Sequence, residues 1–360
     1  MSEEILGQSP ARIMVIGVGG GGGNAVNRMM RAGIEGVEFV AVNTDAQVLT
    51  TIQAHRKLQI GVKLTGGLGA GGDPEVGRMA AEESKEEIAD ILQGLDMVFI
   101  TAGMGGGTGT GASPVIAEIA KNMGILTVAI VTKPFLFEGT PRMKRAEEGI
   151  SRLSQHVDAL ITVANERLLR IAPPDMPITR AFELADEVLK QGVQGITEVI
   201  TVPGLINLDF ADVESVLRDA GTALMGIGEA EGENRSREAA RKAVTSPLLD
   251  CSMRGAKKAI VNVMGGEDLA LDEVREATEV VREALADKAD IFVGAVIKDG
   301  LQRVRVTVVA TGFSSEAEGE EEKLLSEEEG VLRKLERSYP RNNNYDVPAF
   351  LRSAKREGKL

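Results

Sequence analysis

The sequence predicts an α/β protein whose core is a doubly wound, mostly parallel sheet. Apolar segments rich in β-branched residues alternate along the first half of the chain with segments whose apolar residues have helical spacing. Continuous apolar runs are typical of strands that are buried on both faces, as in a parallel sheet. Regular alternation of strand and helix favours parallel pairing with helices on both faces.

Six strands and four helices are predicted in the first half of the chain. The predicted strands cover residues 11–18, 37–45, 58–60, 95–102, 125–135 and 157–165. The predicted helices cover residues 24–33, about 77–93, 112–124 and 142–156. Gly33 is the expected C-cap of the first of these helices, because glycine readily adopts the left-handed conformation that ends many helices.

A long helix and a second α/β unit are predicted to follow. Three prolines between residues 173 and 177 interrupt the pattern, and helical spacing then predicts a helix from about Ile178 to Ile200 that links the two halves. Further strands are expected at 257–265, 289–297 and 303–311. The segment KDGLQ joins the last two strands, and its Asp-Gly step predicts antiparallel pairing between them.

The predicted organisation has six parts. They are an N-terminal tail (1–11), a nucleotide-binding domain (12–177), a central helix (178–202), a second α/β domain (203–312), an acidic linker (313–344) and a C-terminal peptide (345–360). The acidic run SSEAEGEEEKLLSEEEG predicts a disordered linker. Val347, Pro348, Phe350 and Leu351 form an apolar island in the peptide, which is typical of a docking segment. The alternative is an unstructured chain end.

Composition argues against several classes of function. The formal net charge of the 360-residue chain is −13, which argues against an electrostatic surface for nucleic acid. Two histidines and one cysteine argue against a zinc site, and a single cysteine is expected in a reducing compartment. The start MSEEILGQSP does not resemble a signal peptide, and no apolar run reaches membrane-spanning length.

Three glycine-rich loops follow separate predicted strands. They are GVGGGGGNAV at 17–26, TGGLGAGGDPEVG at 65–77 and GMGGGTGTG at 103–111. Glycine lets a backbone approach a ligand closely, and the start of a helix offers free N–H groups and a positive dipole end. The third loop lacks the Lys-Ser/Thr ending of a Walker loop. A flexible connector or tight helix–strand packing is its alternative, but threonines between glycines at a strand–helix junction favour a phosphate site.

The first loop also fits a dinucleotide-binding fold. Gly17, Gly19 and Gly22 form G-x-G-x-x-G between a strand and a helix, and Asp45 ends the next strand. A nicotinamide-dependent oxidoreductase is therefore an alternative function. Against it, a dinucleotide needs one phosphate loop, whereas three loops suit a chain of phosphates. No strand-end histidine is evident as an acid for hydride transfer.

Seven segments together resemble the tubulin/FtsZ family of GTPases, and within it the FtsZ family of bacterial cell-division proteins. The segments are GGGTGTG, GVGGGGGNAVNRM, NTDAQ, GLGAGGDPEVG, KPFLFEG, NLDFAD at 207–212 and DVPAFLR in the tail. The resemblance runs from about residue 12 to 312 and returns in the tail. It implies a Rossmann-like GTP-binding domain, GTP/GDP and Mg²⁺ as ligands, and head-to-tail filaments that form the division ring.

The resemblance also implies the residues that bind the nucleotide. Guanine recognition would fall to Asn165 and Asp186, with Phe182 stacking on the base. Without the resemblance, Phe182 better fits a core position and Asp186 a solvated helix face. The phosphates and the sugar would be bound by Gly19, Gly20, Gly21, Asn24, Asn43, Ala70, Gly71, Gly72, Gly103, Met104, Gly105, Gly106, Gly107, Thr108, Gly109, Thr110, Glu138 and Arg142.

Asn207, Asp209 and Asp212 are the expected catalytic residues. From the residues alone, they fit a helix N-cap followed by first-turn acids. The resemblance instead makes them a loop that reaches the nucleotide of the next subunit, where Asp209 and Asp212 orient a water against the terminal phosphate. No residue is assigned as a metal ligand. A tubulin-like relative that binds nucleotide and hydrolyses it poorly is a further alternative, and these acids argue against it.

The partners that the resemblance implies are other copies of the chain, division regulators and membrane tethers such as FtsA. The tethers would bind Asp346–Arg352, with Phe350 and Leu351 as apolar anchors, and positive charge from Arg352 and Lys355 would add to the attraction. No nucleic acid is expected, and membrane association would be indirect. The expected location is the cytoplasm, at the mid-cell ring on the inner face of the membrane.

Overall fold

A computed structural model describes residues 11–170, 172–173, 175–202, 204–206, 208–246, 249 and 251–313. The described residues belong to one compact unit that ends at Phe313. The predicted linker from residue 314, the C-terminal peptide, Asn207 and all but residue 11 of the predicted N-terminal tail lie outside the described residues. Their roles therefore stay predictions.

The first sheet has seven strands, and all of its pairings are parallel. In spatial order they are β3, β2, β1, β4, β5, β6 and β7. This order reverses direction between β1 and β4, which opens a crevice at the carboxyl ends of these strands. The predicted doubly wound, Rossmann-like sheet is confirmed. The strands are β1 Ile13–Val18, β2 Val37–Asn43, β3 Arg56–Gln59, β4 Met97–Gly103, β5 Leu126–Lys133, β6 Ala159–Ala164 and β7 Gly221–Thr222.

Helices cover both faces of this sheet because its strands bury alternate residues on each side. Val15 and Phe99 pack on one face with α1 and α9, whereas Met14 and Ile100 pack on the other with α4, α5 and α6. The helices of this half are α1 Gly19–Arg31, α2 Ala46–Thr51, α3 Val62–Thr65, α4 Pro74–Glu83, α5 Lys85–Leu92, α6 Thr108–Asn122, α7 Thr140–Leu153, α8 Asn165–Leu168 and α9 Ile178–Thr201.

Two helices begin inside the glycine-rich segments, earlier than the sequence predicts. Helix α1 starts at Gly19 and α6 starts at Thr108. A Cβ on Gly22 would overlap the carbonyl oxygen of Thr101, so glycine lets α1 lie directly on β4. Helix α1 ends at Arg31, and Gly33 has the expected positive φ of 64°. The predicted charged helix is two helices, α4 and α5, which meet at Ser84.

The second sheet has four strands in the order β10, β9, β11, β8. The predicted pairing of the last two strands is wrong, because β9 lies between them. Helix α12 returns the chain so that β10 pairs parallel to β9, and β11 then pairs antiparallel to the other edge of β9. The elements are α10 Phe210–Leu217, β8 Leu224–Ala230, α11 Arg235–Val244, β9 Lys258–Gly265, α12 Leu271–Ala284, β10 Asp290–Ile297 and β11 Val304–Thr311.

Helix α9 joins the two halves and has 24 residues, close to the predicted length. Its buried side chains, among them Val188, Val193 and Ile196, pack in the core of the first sheet. At 1.5 Å per residue it spans about 36 Å. Among the described residues, no helix is both long and apolar enough to cross a membrane.

Candidate functional site

Two helix N-termini meet at the crevice between β1 and β4. A Cβ built on Gly19, the first residue of α1, would lie 2.9 Å from the amide nitrogen of Gly109 in α6. Gly20 and Gly106 face open space beside this contact. Neither helix has an acid in its first turn, so nothing there offsets the positive dipole ends. The crevice therefore offers an anion two sets of free N–H groups.

Threonine side chains brace this crevice from within the protein. Thr108 Oγ1 lies 2.7 Å from Thr44 Oγ1, and Thr110 Oγ1 accepts a hydrogen bond from the Gly105 amide at 2.8 Å. Both predicted threonines thus have a hydrogen-bond partner within the protein, and each hydroxyl keeps further hydrogen-bonding capacity. Gly105 has φ of 97°, a conformation that favours glycine.

The structure brings the second glycine loop to the same place. Gly107 lacks the Cβ that would lie 2.7 Å from Ala70 Cβ and 3.0 Å from the Asp73 amide. Gly71, with φ of 59°, is exposed and faces open space. Asn43 is buried and accepts a hydrogen bond from the Asp45 amide at 3.2 Å, so it shapes the turn before α2. The residues predicted in all three loops therefore surround one crevice.

A second group of predicted residues lies where α1, α8 and α9 meet. Asn165, at the start of α8, is 5% exposed, and its Oδ1 atom has no hydrogen-bond partner among the described residues. Phe182 on α9 is 39% exposed and packs edge-on against Phe135, with ring centroids 5.4 Å apart. A buried amide oxygen without a partner suits a ligand that donates a hydrogen bond.

Asp186 lies one turn after Phe182 and has an unusual pKa. Burial raises the pKa of its carboxyl above the usual value for an aspartate, to about 6. Arg28 on α1 opposes this shift with a contact of 3.4 Å to Asp186 Oδ2. At neutral pH the carboxylate is ionised and accepts hydrogen bonds, which fits the N1–H and N2–H donors of guanine.

Glu138 and Arg142 lie near the crevice, where α7 begins. Arg142 forms an ion pair with Glu138 at 3.1 Å and packs against Gly105. Glu138 Oε1 also accepts a hydrogen bond from the Phe135 amide at 2.8 Å. The Arg142 side chain is 46% exposed, so its guanidinium is accessible beside the crevice. Asn24, also predicted to bind the nucleotide, is exposed on α1.

The predicted catalytic acids lie at the opposite edge of the first sheet. Asp209 is the N-cap of α10 and accepts a hydrogen bond from the Asp212 amide at 2.8 Å, while Asp212 Oδ2 accepts one from the Asp209 amide at 3.2 Å. Asp209 lines a depression with Arg12 and Asp96, which come just before β1 and β4. The six residues of β1 separate this edge from the glycine loops by about 20 Å.

The described residues contain no group of three or more His, Cys, Asp or Glu that would hold a metal ion. Asp45 and Asp73, the acids closest in sequence to the crevice, are used as N-caps of α2 and α4. Mg²⁺ often keeps several waters and binds substrate phosphates with few protein ligands. The site therefore fits Mg²⁺ only as an ion carried on the nucleotide phosphates.

Three residues of this site were missed by the sequence analysis. Thr44 follows Asn43 within NTDAQ, so its motif was a usable signal. Arg28 contacts Asp186, 158 positions away, and Arg145 contacts the Gly72 carbonyl, 73 positions away. Contacts this remote leave no local pattern in a single sequence.

Comparison with known proteins agrees with this arrangement. The model of the tubulin/FtsZ family GTPase domain matches residues 12–173, and that of the FtsZ family C-terminal domain matches residues 221–314. An empty FtsZ dimer from M. jannaschii is 52% identical, with a TM-score of 0.82 over 85% of this chain and 90% of that chain. CetZ2 from Haloferax volcanii, solved as a GTPγS-bound protofilament, is 22% identical with a TM-score of 0.73, over 89% of this chain and 99% of that chain. The likeness to CetZ2 supports the fold alone.

The fold and the site define a GTPase of the tubulin/FtsZ class. Within that class, the chain belongs to the FtsZ family of polymerising cytoskeletal GTPases. The prediction from the seven segments is confirmed at this level, and the nicotinamide-dependent oxidoreductase is the wrong alternative. M. jannaschii is an archaeon, so the comparisons leave the bacterial origin a prediction.

Proposed function

We propose that this protein assembles head to tail and hydrolyses GTP at the contact between subunits. The observation that carries the proposal is the position of Asp209 and Asp212, about 20 Å across the sheet from the glycine loops. Acids at that distance cannot touch a phosphate bound in their own chain. They reach a nucleotide only when the amino edge of one subunit lies over the carboxyl edge of the next.

The carboxyl edge binds the nucleotide in this proposal. The N-termini of α1 and α6 hold the phosphates, and Asp186 and Asn165 accept hydrogen bonds from guanine. Adenine has neither the N1–H nor the 2-amino group, so ATP would leave the acceptor oxygens of Asp186 and Asn165 without these donors. A site built to hydrogen-bond one base rejects an analogue that leaves its buried groups unpaired.

The amino edge of the neighbouring subunit supplies hydrolysis. One oxygen of Asp209 and one of Asp212 are used in the reciprocal cap of α10. The cap holds both carboxylates in place, and their remaining oxygens orient and polarise a water against the terminal phosphate. Asn207 is proposed to act beside them. Bound Mg²⁺ would neutralise charge on the phosphate oxygens.

A contact between two different edges does not close on itself and so extends into a filament. Such filaments are proposed to form the cell-division ring in the cytoplasm, on the inner face of the membrane. Residues 346–352 are proposed to bind membrane tethers such as FtsA, and other division regulators are further proposed partners. Membrane association is then indirect. The domain boundaries given above belong to this proposal.

The test is phosphate release from GTP against protein concentration, with light scattering recorded on the same samples. Specific activity and scattering are expected to rise together above a threshold concentration, because an isolated subunit lacks the acids that its own pocket needs. Constant specific activity without scattering would mean that the site is complete within one chain. ATP at the same concentration serves as the control and should give neither signal.

A further inference from the structure

Arg145 joins two walls of the phosphate crevice. Helix α7 forms one wall, where Arg142 packs against Gly105 in the turn 104–107. The loop 69–72 forms the other wall and packs against Gly107 of the same turn. Arg145 lies on α7, three residues after Arg142, and its Nη1 donates a hydrogen bond to the Gly72 carbonyl. This bond closes a ring of contacts around the turn.

The loop 69–72 is otherwise held by its backbone and by Ala70. The Asp73 amide donates a hydrogen bond to the Ala70 carbonyl at 3.0 Å, and Ala70 is 8% exposed. Gly69, Gly71 and Gly72 all have positive φ, at 87°, 59° and 77°, and a Cβ on Gly71 would meet no atom within 4 Å. Among the described residues, no side chain other than Arg145 makes a hydrogen bond to this loop. Within the part of the chain that the structure describes, Arg145 therefore supplies the one side-chain hydrogen bond that fixes this glycine-rich loop.

The position of this loop in the fold places it near the phosphate end of a bound nucleotide. Asp186 and Phe182, proposed for the base, lie on the face of the sheet that α1 and α9 cover. The loop leads into α4, which packs on the opposite face with α6. The phosphate chain must cross the crevice from the first face towards the second. Its last phosphate therefore comes closest to loop 69–72.

We propose that Arg145 is a positioning residue that holds loop 69–72 ready for the terminal phosphate of a nucleoside triphosphate. It thereby sets the preference of the site for GTP over GDP. This inference rests on the proposed function, since it needs GTP in the crevice. The Nε atom of Arg145 is buried without a hydrogen-bond partner, so the guanidinium also leaves a donor and a positive charge beside the loop.

The test compares Arg145→Met with Lys144→Met, its neighbour on α7. Both changes remove one positive charge, but the Lys144 side chain is 75% exposed and forms an ion pair with Glu148 on the same helix. GDP and a non-hydrolysable GTP analogue are titrated into each variant below the wild-type polymerisation threshold. Arg145→Met should lower the affinity for the GTP analogue about tenfold and that for GDP less than about twofold, whereas Lys144→Met should change neither affinity.

Retained GDP binding shows that the variant folds. Arg145→Lys keeps the positive charge and a donor but loses the planar array of guanidinium donors, so affinity for the GTP analogue should fall about threefold. It serves as the second variant if Arg145→Met does not fold. An equal loss of both nucleotides would reduce Arg145 to a structural role and overturn the inference, as would no loss. Wild-type turnover is measured in parallel. If wild-type turnover shows no threshold in protein concentration, head-to-tail assembly is overturned instead. The ratio of affinities for the GTP analogue and GDP then still tests the role of Arg145.

Discussion

The two edges of the seven-stranded sheet differ in charge and in the way their groups are held. At the carboxyl edge, glycines expose backbone N–H groups of α1 and α6, and no acid lies in the first turn of either helix. At the amino edge, Asp209 and Asp212 hold each other at the start of α10. One edge attracts phosphate and the other repels it. Phosphate binding favours a positive site and water activation here uses carboxylates, and a distance of about 20 Å lets one chain carry both.

The largest expected effect comes from removing a charge at the amino edge. Asp212→Asn keeps an oxygen that accepts from the Asp209 amide, so the cap of α10 survives while a carboxylate is lost. GTP turnover should fall about 100-fold or more, because the water loses a polarising group. GTP binding should stay at the wild-type level, since the pocket lies at the other edge.

Asp272→Asn is the matched control for this variant. Asp272 is also a first-turn acid, on α12, and its side chain is 84% exposed. Phosphate release and nucleotide affinity should both match the wild type. Turnover near the wild-type rate in Asp212→Asn would contradict the catalytic role of the amino edge.

Mixing subunits tests whether the two edges work across a contact. Wild type is held below its threshold concentration, where turnover is absent, and excess Asp212→Asn protein is added. The variant contributes intact pockets and filament length, while each wild-type subunit contributes acids to a neighbour. Phosphate release should therefore appear on mixing. Filaments seen by light scattering without phosphate release would refute a site shared between subunits.

Acid pH should weaken the binding of GTP at the carboxyl edge, because Asp186 becomes protonated. Its pKa of about 6 means that the carboxyl is ionised above pH 6 and protonated below it. The N–H donors of guanine bind the ionised form, so affinity is full above that range and is lost as pH falls. Affinity for a GTP analogue should drop about tenfold between pH 7 and pH 5.

Asp186→Asn provides the comparison for this pH effect. An amide does not titrate in that range, so affinity of the variant should be nearly constant from pH 7 to pH 5. Isothermal titration below the polymerisation threshold measures both proteins. A tenfold drop in the variant as well would assign the pH dependence to another group.

The smallest expected effect concerns the exposed ring of Phe182. Phe182→Ala should weaken GTP about fivefold, since stacking on a base contributes roughly 1 kcal/mol or more. Turnover at saturating GTP should be unchanged, because the amino edge is intact. Ile178→Ala, one turn earlier on α9 and 59% exposed, removes apolar surface without a stacking ring. Equal losses in both variants would mean that Phe182 does not stack on guanine.

Strands β1, β2, β4, β5 and β6 were predictable because they are largely apolar runs, and their alternation with helices predicted parallel pairing. In the second half, β8 was missed because its sequence LMGIGEA contains two glycines, and glycine is depleted in strands. A Cβ on Gly226 or Gly228 would overlap carbonyl groups of α11, so these glycines serve helix packing. The Asp-Gly turn before β11 indicated a hairpin, but non-local pairing with β9 determined the position of β11.

The site was predictable from the sequence in part. The glycine loops carry their chemistry in the backbone, so composition and position sufficed. Asp186 and Asn165 required the family resemblance, because burial and the contact with Arg28 depend on packing between distant helices. The acid pair also has a local explanation as a helix cap, and only its place at the far edge favours a second role.

Helix α9 begins at the base pocket with Phe182 and Asp186 and ends at Thr201, beside the depression that Asp209 lines. It therefore connects the two edges of the sheet that would meet neighbouring subunits in a filament. Where the helix runs parallel to the filament, its length of about 36 Å is a lower bound on the axial repeat. A filament one micrometre long then holds at most about 280 subunits and as many bound nucleotides. Filament length divided by the number of subunits, obtained from the filament mass in electron micrographs, would measure that spacing.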